Sequence, residues 1–191
     1  VAKSLDPRSG VDPDSAQSGE PSDSLSFAEV ALDRTKERLP GTDRAAMAMV
    51  LLLHRVANSI VYDLESTVHR PAGWSWSAFR LLFTLWVADG LEARRAAELT
   101  GMSRAAVSSL AKTLSSAGLL ARAPDARDGR GVVLSLTQAG TDRLESAFQH
   151  HNQRESKWSA LLTEDEVETL NTVLTKIARA GQSTDWVSRR F

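Results

Sequence analysis

The sequence predicts a mainly α-helical fold carrying one small β-hairpin, an α+β chain in which helix dominates. Three observations point there. Apolar residues recur at helical spacing over long stretches, as in Met49, Leu52/Leu53, Val56, Ile60, Leu64 and Val68. Two helical segments meet at the short turn Thr100-Gly101-Met102, the helix-turn-helix layout. Two short apolar runs, residues 119–123 and 132–136, flank the charged, glycine-bearing loop Pro124-Asp125-Ala126-Arg127-Asp128-Gly129-Arg130-Gly131, which reads as a hairpin with arginines at its tip.

With 191 residues and 42% hydrophobic content, the chain can bury a sizeable core in one domain with appendages. Its formal net charge of -1 excludes a uniformly basic coat protein but leaves room for a local basic patch. The absence of cysteine excludes disulfides, thiolate–metal sites and peroxide sensing by a reactive thiol. No uninterrupted apolar run approaches the ~20 residues that span a bilayer, and the first residues lack a signal-peptide layout. The expectation is a soluble cytoplasmic protein without a membrane partner.

In chain order, residues 1–25 are rich in Ser, Asp, Pro and Gly and are expected to be a disordered tail. Ser26-Phe27-Ala28-Glu29 fits a capping box for a short helix over 27–39, stopped by Pro40-Gly41. Thr42 is expected to cap a helix from residue 43 to about 69. Its stretch 47–53 is apolar nearly all round and hints at a subunit interface. Ser75 or Ser77 opens the next helix, with Trp76, Phe79, Leu82/Phe83 and Trp86 toward the core, and a short helix follows over 93–99.

Ser103 is a natural N-cap for the helix that continues to Ser116. On it Val107, Leu110, Ala111 and Leu114 fall on one side, whereas Ala105, Ser109, Lys112 and Ser116, flanked by Ser108 and Thr113, fall on the other. That outer face is small, hydroxyl-rich and basic, without an acid. By itself it fits either a solvated face or one that approaches a phosphate backbone. Gly118 suits the left-handed C′ position. Thr137 caps a helix running to about Trp158, with Leu144, Ala147/Phe148, His151 and Trp158 on its less polar side. Thr163-Glu164-Asp165-Glu166 is a second capping box, opening a helix with Val167, Leu170, Val173/Leu174 and Ile177 in register.

Together these elements make a winged helix-turn-helix flanked by helices. Gly118-Leu119-Leu120, then Asp125-Ala126-Arg127-Asp128-Gly129-Arg130, then Leu136-Thr137-Gln138-Ala139-Gly140 resemble, in order and spacing, the signature of the MarR family of bacterial transcription regulators. The resemblance covers roughly residues 43–179, and the segment from Trp76 to Trp86 is similar to the family's helix before the helix-turn-helix. Ala96 stands where the family usually has Leu, and the first forty residues have no counterpart in typical members. An extra N-terminal helix does occur in some phenolic- and urate-responsive relatives. The implied organisation is an extra helix at 26–41 and a MarR-like domain at 42–181. Within that domain lie a winged helix-turn-helix at about 75–137 and dimerisation helices at 43–69 and 138–180, and a tail follows at 182–191.

Between Leu91 and Arg130 the basic residues Arg94, Arg95, Arg104, Lys112, Arg122, Arg127 and Arg130 outnumber the acids Glu92, Glu98, Asp125 and Asp128. A basic segment in a slightly acidic chain is the footprint of a face that meets phosphates. The expected DNA contacts are Ser103, Arg104, Ala105, Ser108, Ser109, Lys112, Arg122, Arg127 and Arg130, with Arg127 at the wing tip suited to a narrow minor groove. The resemblance implies a homodimer on double-stranded DNA bearing an inverted repeat, acting as a repressor that a small aromatic or phenolic acid releases. His54, Arg55, Tyr62, Trp76 and Arg80 are the candidates to hold such a ligand. The competing reading makes the aromatics core and the arginines surface. No nucleophile elbow, phosphate loop or paired carboxylates suggest an enzyme, and the four histidines form no metal-ligand set, so no cofactor or metal is expected. The alternative function is a helical small-molecule-binding or protein-interaction module that does not act through DNA.

Overall fold

A computed structural model of the chain describes residues 24–124, 131–185 and 187. The expected tail at 1–23, the wing tip with Asp125, Arg127, Asp128 and Arg130, and Trp186 and Phe191 lie outside the described residues. The described residues fall into two compact units that divide after Val56, within the second helix.

In the first unit, helix α1 spans Ser24–Arg38. Ser24 and Leu25, expected in the tail, are already helical, so Ser26 sits in the first turn and does not cap it. Helix α2 runs Arg44–Leu64. Asp43, not Thr42, is its cap: one carboxylate oxygen accepts from Ala45 N and Ala46 N, both at 3.0 Å. A carboxylate is favoured there because it also faces the positive end of the helix dipole. Asp33 and Arg44 pair at 2.7 Å, the Arg55 guanidinium lies 5.6 Å from the Phe27 ring centre, and Ala28 and Leu32 are buried. Met49, Val50, Leu52, Leu53 and Val56 remain exposed. By length and composition, Arg44–His69 is apolar enough to cross a membrane, with a mean hydropathy of 1.5 over its best window. Averaging across His54 and Arg55 produces what an uninterrupted run does not.

The second unit begins in α2, which does not continue as α-helix to His69. Glu65–His69 is one wide π-type turn, with Arg70 N–H donating to Glu65 O at 2.9 Å. The extra residue lets consecutive Val68 and His69 both point inward, where both are buried. Helix α3, Trp76–Val87, is capped by Ser75, whose hydroxyl accepts from Ala78 N at 3.1 Å. Its Ala78, Phe79, Leu81, Leu82 and Leu85 form the centre of the core. Trp86, expected inward, is 39% exposed and donates its ring N–H to Glu145.

Strand β1, Leu91–Glu92, was not foreseen, because two residues carry no alternation. Helix α4, Ala93–Thr100, ends on Gly101 at φ 65°, a left-handed conformation that suits glycine. Helix α5 spans Arg104–Ser116, strands β2 and β3 span Leu120–Pro124 and Val132–Leu136, and the antiparallel sheet order is β1-β3-β2. Helix α6 covers Gln138–Ser159, capped by Thr137, and α7 covers Glu164–Ser183 behind the Thr163–Glu166 capping box. Leu81, Leu82 and Leu85 of α3 meet Val107 of α5, Leu134 of β3 and Leu144 of α6, each at most 1% exposed. Burying a leucine this fully contributes about 1.5–3 kcal/mol, so this junction fixes where α5 presents its other side.

Candidate nucleic-acid interface and ligand cavity

Helix α5 starts where its sequence says it should. The Ser103 hydroxyl accepts from Ala106 N at 3.1 Å, satisfying one of the free donors of the first turn. Val107, Ala111 and Leu114 are buried against the core, and Leu110 is half-buried. The opposite face exposes Ser103, Arg104, Ala105, Ser108, Ser109 and Lys112, together with Thr113 and Ser116. Arg122 is exposed on β2, the strand that leads into the wing. Among the described residues, no salt bridge engages Arg104, Lys112 or Arg122. Arg127 and Arg130 lie outside the described residues.

The junction behind α5 locks its direction. Gly118 at φ 73° ends the helix, and the Thr137 hydroxyl donates to Gly118 O at 2.7 Å while accepting from Gly140 N at 3.0 Å. One threonine therefore ties the end of α5 to the start of α6.

Of the five residues considered for a ligand, Trp76 and Arg80 line one cavity of about 330 Å³. Phe79, Phe83 and Thr84 of α3, Leu99 and Thr100 of α4, and Phe148, His151 and Glu155 of α6 complete its wall. Tyr62 is 73% exposed and does not line it. His54 and Arg55 belong to the first unit, where Arg55 stacks on Phe27. Phe148, His151 and Glu155 were missed as cavity residues. The available signal was His151, a histidine on the less polar side of α6 beside Phe148.

The cavity's polar chemistry is sparse. His151 is 3% exposed, its Nε2 lies 3.0 Å from Glu155 Oε1, and its Nδ1 has no hydrogen-bond partner among the described residues. Behind it, fully buried His69 stacks on Phe79 with ring centres 4.1 Å apart. Among the described residues neither His69 nitrogen finds a hydrogen-bond partner, and burial, aided by the neighbouring His151, pulls its pKa down to about 4. His69 is thus neutral near pH 7. Arg80 is the cationic group of the wall, so the site offers aromatic faces, one guanidinium, one buried imidazole and the Glu155 carboxylate that the imidazole meets. A larger groove of about 1000 Å³ runs along α7, bordered by Leu162, Val167, Asn171 and Thr175. Among the described residues, no group of three or more His, Asp or Glu side chains could hold a metal ion.

Comparison with known proteins places this geometry. The profile of the MarR family matches residues 72–131, from just before α3 to just before β3. An uncharacterized HTH-type transcriptional regulator of Bacillus subtilis, YwaE, is 34% identical over 133 residues, covering 70% of this chain and 78% of that protein. The crystal structure of a cysteine-to-serine mutant of MarR from E. coli is similar at TM-score 0.59 and 26% identity, covering 66% of this chain and 93% of that one. The same mutant complexed with operator DNA gives TM-score 0.64 at 24% identity, over 75% of this chain and 96% of that one. On the family profile and the 34% identity to YwaE over most of both chains, the chain belongs to the MarR family of winged helix-turn-helix transcriptional regulators.

Proposed function

We propose that the protein is a dimeric repressor that reads an inverted repeat with α5 of each copy in the major groove, and that a small aromatic acid in the α3–α6 cavity releases it. The observation that carries this reading is the outer face of α5, which is exposed, free of acids and basic at Arg104 and Lys112. Such a face lets the helix approach the duplex closely. Arg122, and by sequence Arg127 and Arg130, extend the positive surface along the wing. Because the face has few long side chains, DNA shape and the wing share the work of specificity.

The dimer is inferred from apolar stripes that none of the described residues covers. Helix α7 has no buried residue, although Leu170, Val173 and Ile177 repeat at helical spacing and are 38–46% exposed. Helix α2 exposes Met49, Val50, Leu52, Leu53 and Val56. A second copy would bury such stripes and would set two α5 helices about one DNA turn (~34 Å) apart. A lipid environment suits α2 poorly, because His54 and Arg55 lie mid-helix, so the partner surface is the better reading of its apolar content.

The ligand reading rests on the cavity. Aromatic walls with one guanidinium suit an aromatic carboxylate. Thr100, in the wall, immediately precedes the Gly101 turn into α5, so an occupant that favours another turn geometry would change how α5 is presented.

The deciding experiment is a gel shift on DNA flanking the protein's own gene, repeated with a panel of aromatic acids. The expected result is a retarded complex, weakened by rising salt and lost with one of the acids. Arg104→Ala should weaken the complex by roughly 1–3 kcal/mol. Arg80→Ala should leave the complex intact but blunt its release. Footprinting that shows one unsymmetrical half-site under a monomer would overturn the dimer reading.

A further inference from the structure

Two basic residues of the helix-turn-helix differ from the rest. Arg104, Lys112 and Arg122 carry no salt bridge among the described residues, but Arg94 and Arg95 share one carboxylate. Glu98 Oε1 accepts from Arg94 Nε at 3.3 Å and Glu98 Oε2 accepts from Arg95 Nη1 at 2.9 Å. All three side chains are solvent-accessible, at 69%, 57% and 35%. They border a groove of about 610 Å³ between the start of α4 and the β1–β3 edge, where Glu92 and Val133 also contribute.

The arrangement has the geometry of a phosphodiester site. A carboxylate and a phosphodiester each carry one negative charge on two terminal oxygens, and here each oxygen already meets a different guanidinium. Arg95 and then Arg94 hold the Glu98 carboxyl below its ordinary range, so it is ionised in the free protein. With Glu92 and Glu98 set against the two arginines, the groove has no net charge, and it attracts an anion only when Glu98 swings away. Exposed pairs of this kind are weak, so that exchange is easily made. The position fits as well, because the first helix of a helix-turn-helix crosses the DNA backbone when the second enters the major groove.

We propose that Arg94 and Arg95 form a phosphodiester cradle on α4, occupied by Glu98 in the free protein and by a DNA backbone phosphate in the complex. Glu98 is then an internal competitor that lowers DNA affinity regardless of sequence. The inference rests on the DNA-facing orientation proposed for α5.

The test uses the full chain, a fluorescein-labelled mixed-sequence duplex of about 30 base pairs, and anisotropy titrations over a salt series. Arg94→Ala/Arg95→Ala should cut affinity about tenfold and make the plot of log affinity against log salt shallower by roughly two. Glu98→Gln should raise affinity about threefold in the natural background and leave it unchanged in the double-alanine background. Circular dichroism of each variant checks that helix content is retained, and all these side chains lie on the surface. An unchanged salt slope in the double variant would overturn the cradle. So would an equal gain from Glu98→Gln in both backgrounds, since that is what removing any nearby negative charge does. Arg104→Ala in the same assay reports on α5 alone: a loss there, with an unchanged slope in the double variant, overturns the cradle and leaves the α5 reading standing.

Discussion

His69 shows how much one side chain can weigh. It is fully buried against Phe79, has no hydrogen-bond partner among the described residues, and burial pulls its pKa from the ordinary 6.5 down to about 4. Because the folded pKa is lowered, the unfolded chain takes up the proton first as pH falls. Stability from this site is therefore full above about pH 6.5 and declines toward pH 4, by roughly 3 kcal/mol in all. Urea unfolding at several pH values should show this slope in the natural protein, and His69→Phe should remove that part of it. An identical pH dependence in both proteins would sink the assignment. The sequence could not single out this histidine, since its burial follows from the π-type turn, which no residue pattern announced. The exposed residues of α5 were legible by contrast, because their side follows from a 100° step per residue once the apolar stripe is known.

Elements are joined here by a few short contacts. A Cβ added at Gly140 would collide with the Leu119 carbonyl oxygen, so the first turn of α6 packs directly on the end of α5. Gly140→Ala should cost roughly 2–3 kcal/mol, read as a lower urea midpoint with an unchanged slope. A second joint ties the end of α2 to α6: Arg154 donates to both Asp63 oxygens at 2.6 and 2.7 Å, and the Trp158 ring N–H donates to Asp63 at 2.8 Å. Arg154 holds the Asp63 carboxyl below its ordinary range, with help from Trp158, so this contribution is present above that range and is lost as pH falls through it. Asp63→Asn should accordingly lower the melting temperature at about pH 7 more than at about pH 3. Gly140 was visible in the sequence as part of a motif, but its reason was not. The Asp63 joint spans residues 63 and 154–158 and leaves no local trace.

At the scale of the whole molecule, the long helices carry apolar stripes that the described residues leave exposed. Leu170 and Val173 on α7 are 45% and 46% exposed, a costly arrangement if water were their partner. Leu170→Glu with Val173→Glu should convert a two-chain species into a monomer in sedimentation and should sharply weaken binding to a palindromic site. Single-chain mass in the natural protein would contradict the dimer. The same view explains why Tyr62, His54 and Arg55 were plausible ligand residues from sequence but do not line the α3–α6 cavity. Residue type and helix membership were readable, whereas the face each side chain joins depends on which helices meet.

The features legible in the chain alone are local. Ser103, Thr137 and Thr163 cap their helices as expected, Gly101 and Gly118 end theirs, and α5 buries the stripe that its spacing demands. These depend on hydrogen bonds and periodicity within a few residues, so they survive any reading of the rest. Tertiary structure alone decided the two-residue β1 strand, the π-type turn that buries His69, the outward turn of Trp86, and the meeting of Arg80 with His151 and Glu155 around one cavity. Each depends on contacts between residues far apart in the chain, where the free energy lies in packing and desolvation that no short window of sequence contains.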